Sequence, residues 1–171
     1  MEPVTGFAEL GVPDALVRLL TSQGVTAPFP IQSATLPDSL AGRDVLGQGR
    51  TGSGKTLAFA LPLVARLAAS PKEPMRGRPR ALVLVPTREL ATQVAAVIEP
   101  LAAAFRMSTV TVFGGVGHGA QRKAFHSGVE IVVACPGRLL DHMQAGDVNL
   151  DRVEITVLDE ADHMADHGFL P

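Results

Sequence analysis

Apolar residues along this chain fall into short, nearly unbroken runs, separated by stretches in which they recur every three or four positions. Ala81–Val85, Ile131–Ala134 and Ile155–Leu158 are runs of Ala, Val, Leu and Ile with a single polar interruption, Thr156. Runs this short and this apolar predict strands covered on both faces. With them, the pattern predicts five strands: Asp44–Gly47, Ala81–Val85, Ser108–Phe113, Glu130–Ala134 and Glu154–Leu158. The intervening periodic stretches predict helices at Asp14–Gln23, Ile31–Leu40, Lys55–Ala69, Arg88–Phe105, Gly119–His126 and Gly137–Gln144. In the helix Lys55–Ala69, residues Leu57, Phe59, Leu61, Val64 and Leu67 are the expected packing positions. Met143, Met164 and Phe169 are expected in the core. The segment Ser70–Arg80, rich in Pro, Gly and charge, reads as a flexible surface loop. Strand and helix in alternation imply an α/β fold with a mainly parallel sheet and helices on both faces. In such a fold ligands bind at the carboxyl ends of the strands.

Composition narrows the picture. The chain has 171 residues, 46% hydrophobic and 19% charged, with a net charge of -2. That suits about one domain with a substantial core. An acidic balance excludes a global basic field, so nucleic acid must be met by a local patch. Cys135 is the single cysteine. It excludes an internal disulfide and a cysteine-rich metal site, and suits a reducing, cytoplasmic setting. The first ten residues show no basic region followed by an apolar stretch, so no signal peptide is expected. The apolar stretch 57–69 is broken by Pro62 and Arg66, against a membrane span.

The chemistry concentrates in two places. Gly49-Arg50-Thr51-Gly52-Ser53-Gly54-Lys55-Thr56 fits G-x-x-x-x-G-K-[ST] between an expected strand and an expected helix. Glycines let the backbone wrap phosphates and aim N–H groups at them, and the helix start adds partial positive charge. Lys55 supplies a cation for the β and γ phosphates, and the Thr56 hydroxyl a ligand for Mg²⁺. At the other place, the run 155–158 ends in Asp159-Glu160-Ala161-Asp162. A carboxylate at a strand's carboxyl end, Asp159, would hold Mg²⁺, partly through water. Glu160 would orient or deprotonate an attacking water. Asp162 lies too far along to reach phosphates and would couple this loop to another motif or domain. Lys55 and Asp159 are expected to converge on one Mg-triphosphate. An acidic first helical turn is the structural alternative for 159–162.

These two motifs, with Asp-Glu-Ala-Asp itself, resemble the DEAD-box family of ATP-dependent RNA helicases. The likeness runs through the chain in the family's order. Gly24 followed by Pro28-Phe29-Pro30-Ile31-Gln32 is similar to the family's adenine-reading segment. Phe7, 25 residues before Gln32, resembles its isolated adenine-stacking aromatic. Pro86-Thr87-Arg88-Glu89-Leu90-Ala91, Gly114-Gly115 and Cys135-Pro136-Gly137-Arg138 resemble three RNA-backbone motifs. In the first, Thr87 should cap the following helix with Arg88 in its first turn. The resemblance implies a RecA-like P-loop NTPase domain binding ATP and Mg²⁺. Phe7, Pro30, Gln32 and Arg50–Thr56 would bind nucleotide. Pro86, Thr87, Arg88, Gly114, Gly115, Pro136, Gly137 and Arg138 would bind RNA, with little sequence readout.

The implied layout is residues 1–43 for adenine recognition and 44–171 for a C-terminally truncated P-loop core, with the family's second helicase domain absent. That second RecA-like domain and RNA are the implied partners. The chain departs from the pattern at Cys135 (usually Thr, a lost hydroxyl), Gly49, Arg50 and Val25. Two other readings are a P-loop motor acting on DNA or protein, and a non-catalytic nucleotide-gated scaffold. His163 and His167, four apart beside Asp162 and Asp166, have spacing that zinc uses, but the Glu of a metalloprotease motif is missing, since position 164 is Met.

Overall fold

The computed structural model describes residues 6–48 and 54–166. They fall into two compact units, within 1–71 and 72–171.

The first unit is helical: α1 (Asp14–Ser22), α2 (Pro30–Leu40) and α3 (Lys55–Ala69). Leu16 and Leu20 give α1 a buried stripe one turn apart, as an amphipathic helix requires. α2 starts with Pro30 at its first position, where the missing N–H is no loss, and packs against α3. α3 is buried nearly all round. Leu61, Val64 and Leu67 are inside as expected, but so are Ala60, Pro62 and Leu63, while Leu57 and Phe59 are only half-buried.

The expected strand Asp44–Gly47 is not formed. Residues 43–48 carry no regular structure and are exposed, Leu46 at 91%. Only Val45 and Leu46 are apolar there, they point to opposite faces of any strand, and Gly47 adds nothing to bury.

The second unit is a four-stranded sheet of β1 (Ala81–Leu84), β2 (Thr109–Val112), β3 (Ile131–Ala134) and β4 (Ile155–Leu158), in the order β2-β3-β1-β4. Every pairing is parallel; Ala81 lies opposite Ile131 on one side and Ile155 on the other. The crossovers are α4 (Arg88–Ala103), α5 (Gly119–His126) and α6 (Pro136–Gln144), and a short α7 (Ala161–Asp166) follows β4. Alternation along the strands makes two faces. Leu82, Val112, Val132 and Ala134 pack with Phe125 of α5 and Leu139 of α6. The opposite parity, including Val83 and Val133, serves the face of α4, whose Val94, Ile98 and Leu101 are buried. Helices thus cover both faces, as expected.

β4 differs from the expectation. Thr156 and Leu158 are exposed, and Ile155 and Val157 only half-buried, because β4 stands at the edge of this sheet. Met143 is also exposed, at 39%, while Met164 is fully buried; Phe169 lies outside the described residues. The segment 72–80 is tied down rather than loose. Gly77 donates its N–H to the Phe125 carbonyl and accepts from the Asn149 N–H, both at 2.8 Å. Arg80, nearly buried, pairs with Glu154 at 2.6 Å. Proline and charge marked a loop correctly, but these anchors come from residues 45 to 75 positions further on, beyond any local signal. Among the described residues, no helix is long and apolar enough to cross a membrane.

Candidate functional site

In the helical unit the site begins at Gly54. It stands at the N-cap of α3 with φ of 81°, a left-handed conformation that glycine adopts without penalty. A side chain there has no room: an added Cβ would lie 2.4 Å from both the Gln32 Nε2 and the Phe29 ring. Lys55 and Thr56, both half-buried, form the first turn of α3. The helix start thus places backbone N–H groups and a cation together. Arg50, Thr51, Gly52 and Ser53 lie outside the described residues.

Gln32 is fully buried and doubly held. Its Oε1 accepts the Phe29 N–H at 2.9 Å, and its Nε2 donates to the Gly54 carbonyl at 2.9 Å. A carboxamide has two donor and two acceptor positions, so among the described residues one of each is left over. Because both ends are engaged, the amide cannot flip, and the remaining donor and acceptor have fixed places. Pro30 is exposed beside it. Phe7 is packed inward at 3% exposure, in a turn whose carbonyl accepts the N–H of Leu10 and of Val12.

In the sheet unit, Asp159 and Glu160 lie where β4 ends. The Asp159 N–H extends the parallel ladder by bonding the Leu84 carbonyl at 3.0 Å, and the residue is 4% exposed. Glu160 has φ of 53°. A non-glycine residue in this region costs on the order of 1–3 kcal/mol; Arg106, after α4, adopts the same region with φ of 59°. Asp162 is exposed in the first turn of α7. Among the described residues no three His, Cys, Asp or Glu gather in a metal-binding group; His167 and the side chain of His163 are not described.

The three RNA-like motifs come together around one loop. Thr87 caps α4, its Oγ1 accepting the Leu90 N–H at 3.2 Å, as the sequence suggested. Arg88, exposed, lays its guanidinium over the Phe113 ring, 4.9 Å from the centroid. The same guanidinium lies beside Gly115, where a Cβ would be 3.3 Å from Nη1 and φ is 83°. Gly114 and Gly115 are exposed, as is Gly137; Pro86 and Pro136 are half-buried. Arg138 turns inward: its side chain is 9% exposed, and Nη1 donates to the Val116 carbonyl at 2.9 Å and to Gln121 Oε1 at 3.3 Å. It therefore braces the glycine loop from within.

Sequence reasoning missed the residues behind that brace. Gln121 donates to the Phe113 carbonyl at 3.0 Å and faces His142 Nε2 at 2.8 Å. His142, fully buried, faces Asp147 with Nδ1 at 2.9 Å. Asp147 also meets Arg122 at 3.2 Å and His126 at 3.7 Å. Only the α5 and α6 periodicity, which puts Gln121 and His142 on their inner faces, could have flagged them.

Cys135 occupies the N-cap of α6 and makes no side-chain cap bond. Burial pushes its thiol up, with Glu89 adding to the rise, so it stays protonated at neutral pH. Cys135→Thr is expected to cap the helix and raise stability by about 0.5–1 kcal/mol, roughly 1–4 °C of melting temperature in a chain this size. An unchanged thermal melt would show that the added hydroxyl finds no N–H.

The pattern that defines the DEAD/DEAH box helicases matches residues 29–171. The chain is 43% identical to a DEAD-box ATP-dependent RNA helicase 20 of Arabidopsis thaliana, over 99% of this chain and 34% of that protein. It is 44% identical to an ATP-dependent RNA helicase of Candida albicans, over 99% of this chain and 30% of that one. It therefore spans about a third of the length of these curated relatives. Among solved structures, it resembles the RNA-helicase Prp28 from Chaetomium thermophilum bound to ADP, at 37% identity and a TM-score of 0.89, covering 99% of this chain and 41% of that one. It also resembles a DEAD box protein from the hyperthermophile Methanococcus jannaschii, at 37% identity and a TM-score of 0.86, covering 96% of this chain and 44% of that one.

Proposed function

The chain belongs to the DEAD/DEAH box helicase family, and from that premise we propose that it is the ATP-binding RecA-like domain of an ATP-dependent RNA helicase, working with a second such domain to separate RNA strands or remodel RNA–protein assemblies. Residues 1–43 serve the base, and 44–171 the phosphates and RNA. The observation that carries the reading is the junction of Gln32 with Gly54 at the start of α3. It links a base-reading carboxamide to a phosphate-binding helix start.

The remaining donor and acceptor of Gln32 match adenine, which offers an N–H donor beside an acceptor, and mismatch guanine, which offers two acceptors. The α3 N–H groups, Lys55 and the loop 50–54 hold the phosphates. The buried Asp159 carboxylate is a hard oxygen donor of the kind Mg²⁺ takes, and so, within its own unit, is the Thr56 hydroxyl; Mg²⁺ would neutralise charge on the β and γ phosphates. Glu160 orients the attacking water. RNA phosphates are met by Arg88, by the exposed backbone at Gly114, Gly115 and Gly137, and by the α4 and α6 starts at Thr87 and Pro136. Arg138 acts through the loop it braces, and Asp162 faces outward to couple to the second domain. A cytoplasmic setting fits the single, protonated thiol.

The experiment is competition binding of ATP and GTP. Wild type is expected to favour ATP, and Gln32→Ala to erode that preference about five- to tenfold, the worth of one or two hydrogen bonds. A ratio untouched by the substitution would remove Gln32 from base reading. The 171-residue chain alone is expected to turn over almost no ATP, because charge stabilisation from an arginine of the second domain, worth roughly 10³- to 10⁵-fold, is missing. Robust RNA-stimulated hydrolysis by this chain would refute that division of labour.

A further inference from the structure

The exposed glycine turn after β2 is thinly packed. An added Cβ at Gly114 or Gly117 would meet nothing within 4 Å, so neighbouring side chains do little to set its path. Two carbonyl anchors hold it instead. The Phe113 carbonyl accepts from Gln121 Nε2 at 3.0 Å, and the Val116 carbonyl accepts from Arg138 Nη1 at 2.9 Å. Both anchors meet at one buried amide, because Arg138 Nη1 also donates to Gln121 Oε1 at 3.3 Å. His142 Nε2 faces the same oxygen at 2.8 Å. The amide has a single workable orientation. Turned over, it would set its NH₂ against the Arg138 guanidinium and its oxygen against the Phe113 carbonyl.

That orientation makes the Gln121 oxygen an acceptor, so His142 Nε2 carries a proton. On the other side of the ring, Nδ1 faces the Asp147 carboxylate at 2.9 Å, and an ionised carboxylate only accepts. Both ring nitrogens therefore donate, and His142 stands as an imidazolium between a carboxylate and an amide. The other titratable groups around it are His118, whose ring centre lies 5.3 Å away, and Arg122 and His126, which face Asp147. Asp141 faces both His118 and Arg138. This polar row runs beside Phe125 and Leu139 of the apolar core, where apolar side chains of similar volume would often be no less stable. What the row supplies is a fixed geometry. That geometry ends at Gly115, whose Cβ site lies 3.3 Å from Arg88 Nη1. We propose that Gln121 is a positioning residue for RNA: its amide, oriented by His142 and Asp147, holds the turn 113–117 so that the Gly114 and Gly115 backbone meets an RNA phosphate beside Arg88. The proposal rests on the RNA-binding reading above and adds the residue that sets the shape of the turn.

The test uses the full 171-residue chain with a fluorescein-labelled single-stranded oligouridine, read by anisotropy across a salt series. Gln121→Glu keeps an acceptor for Arg138 and His142 but has no donor for the Phe113 carbonyl. It should weaken RNA about tenfold, the worth of one hydrogen bond to a charged group. It should also lower the slope of log affinity on log salt by about 0.7, one single-strand phosphate contact. Ser127→Glu, exposed at the C-cap of the same helix, adds the same charge away from the amide and should bind RNA as wild type does. Nitrogen-15 spectra of the His142 ring, assigned by the loss of its signals in His142→Gln, should show a proton on each ring nitrogen in wild type and in Gln121→Glu alike. Wild-type affinity and slope in Gln121→Glu overturn the proposal, as does an equal loss in Ser127→Glu. A His142 ring carrying a single proton also overturns it, because the relay from Asp147 to the amide would be broken; this readout needs only wild type and decides the matter if a variant melts early. A wild-type chain without salt-dependent RNA binding would instead overturn the RNA reading of the turn itself, so the two failures are told apart.

Discussion

Lys55→Ala is expected to weaken ADP binding about 10- to 100-fold. Lys55 opens α3 directly after the left-handed Gly54, and in the proposed reading its ammonium would join the helix N–H groups at the same anion. A hydrogen bond from a charged donor contributes about 1.5–3 kcal/mol, and each 1.4 kcal/mol is a factor of ten in affinity. The helix start remains in the variant, which is why a residual affinity should survive. Lys55→Arg should not restore the loss in full, because a planar fork replaces a compact charge. Isothermal titration reads the effect; unchanged affinity would remove phosphate binding from α3. The fold should be untouched, since a half-buried side chain at a helix start contributes little to the core, and equal melting of wild type and variant checks it.

Asp147→Ala is expected to act on stability instead. The Asp147 side chain is 8% exposed and faces His142, Arg122 and His126. Its removal leaves the fully buried His142 imidazole without its Nδ1 partner, while the half-exposed Arg122 guanidinium can turn to water. Leaving a buried hydrogen-bonding group without its partner costs about 1–3 kcal/mol, or roughly 2–12 °C of melting temperature in a chain this size. The same cluster predicts a pH dependence. The hydrogen bond with His142, with the Arg122 bond and charge behind it, outweighs burial and holds the Asp147 carboxyl below the ordinary range. A carboxyl whose folded pKa lies below its unfolded value stabilises fully above that unfolded value, near 4, and loses this as pH falls towards the folded value. Glu154 is held down likewise, first by Arg80 and also by Lys72. Wild type should therefore lose melting temperature below about pH 4 more steeply than Asp147→Ala. Parallel melting curves across pH 3–7 would refute the assignment.

How far these features were legible follows from the range of the interactions behind them. The alternation of elements, the Thr87 cap and the phosphate-loop helix were readable because each is decided within a few residues. The missing strand at Asp44–Gly47 was not, since two apolar residues fit a strand or an exposed segment equally until a pairing partner exists. The exposure of β4 is a property of its place at the sheet edge, which residues 155–158 do not encode. Arg138 was expected to face RNA because its motif suggests it. Its inward turn depends on Gln121 and Val116, which lie on another crossover. Cys135 was legible in part: the sequence shows a lost hydroxyl and ties it to an RNA contact, whereas its place at the N-cap of α6, with no side-chain cap bond, is visible only in the structure.

The register of the sheet has a bearing on how the chain acquires its shape. β1 is synthesised first among the strands, yet it becomes an inner strand whose two neighbours, β3 and β4, lie about 50 and 74 positions later. Until β3 emerges, β1 has neither edge satisfied, and every ladder closes a long stretch of polypeptide before it is rewarded with hydrogen bonds. Assembly should accordingly be slow, and β1 is the segment on a nascent or partly unfolded chain most open to pairing with the wrong molecule.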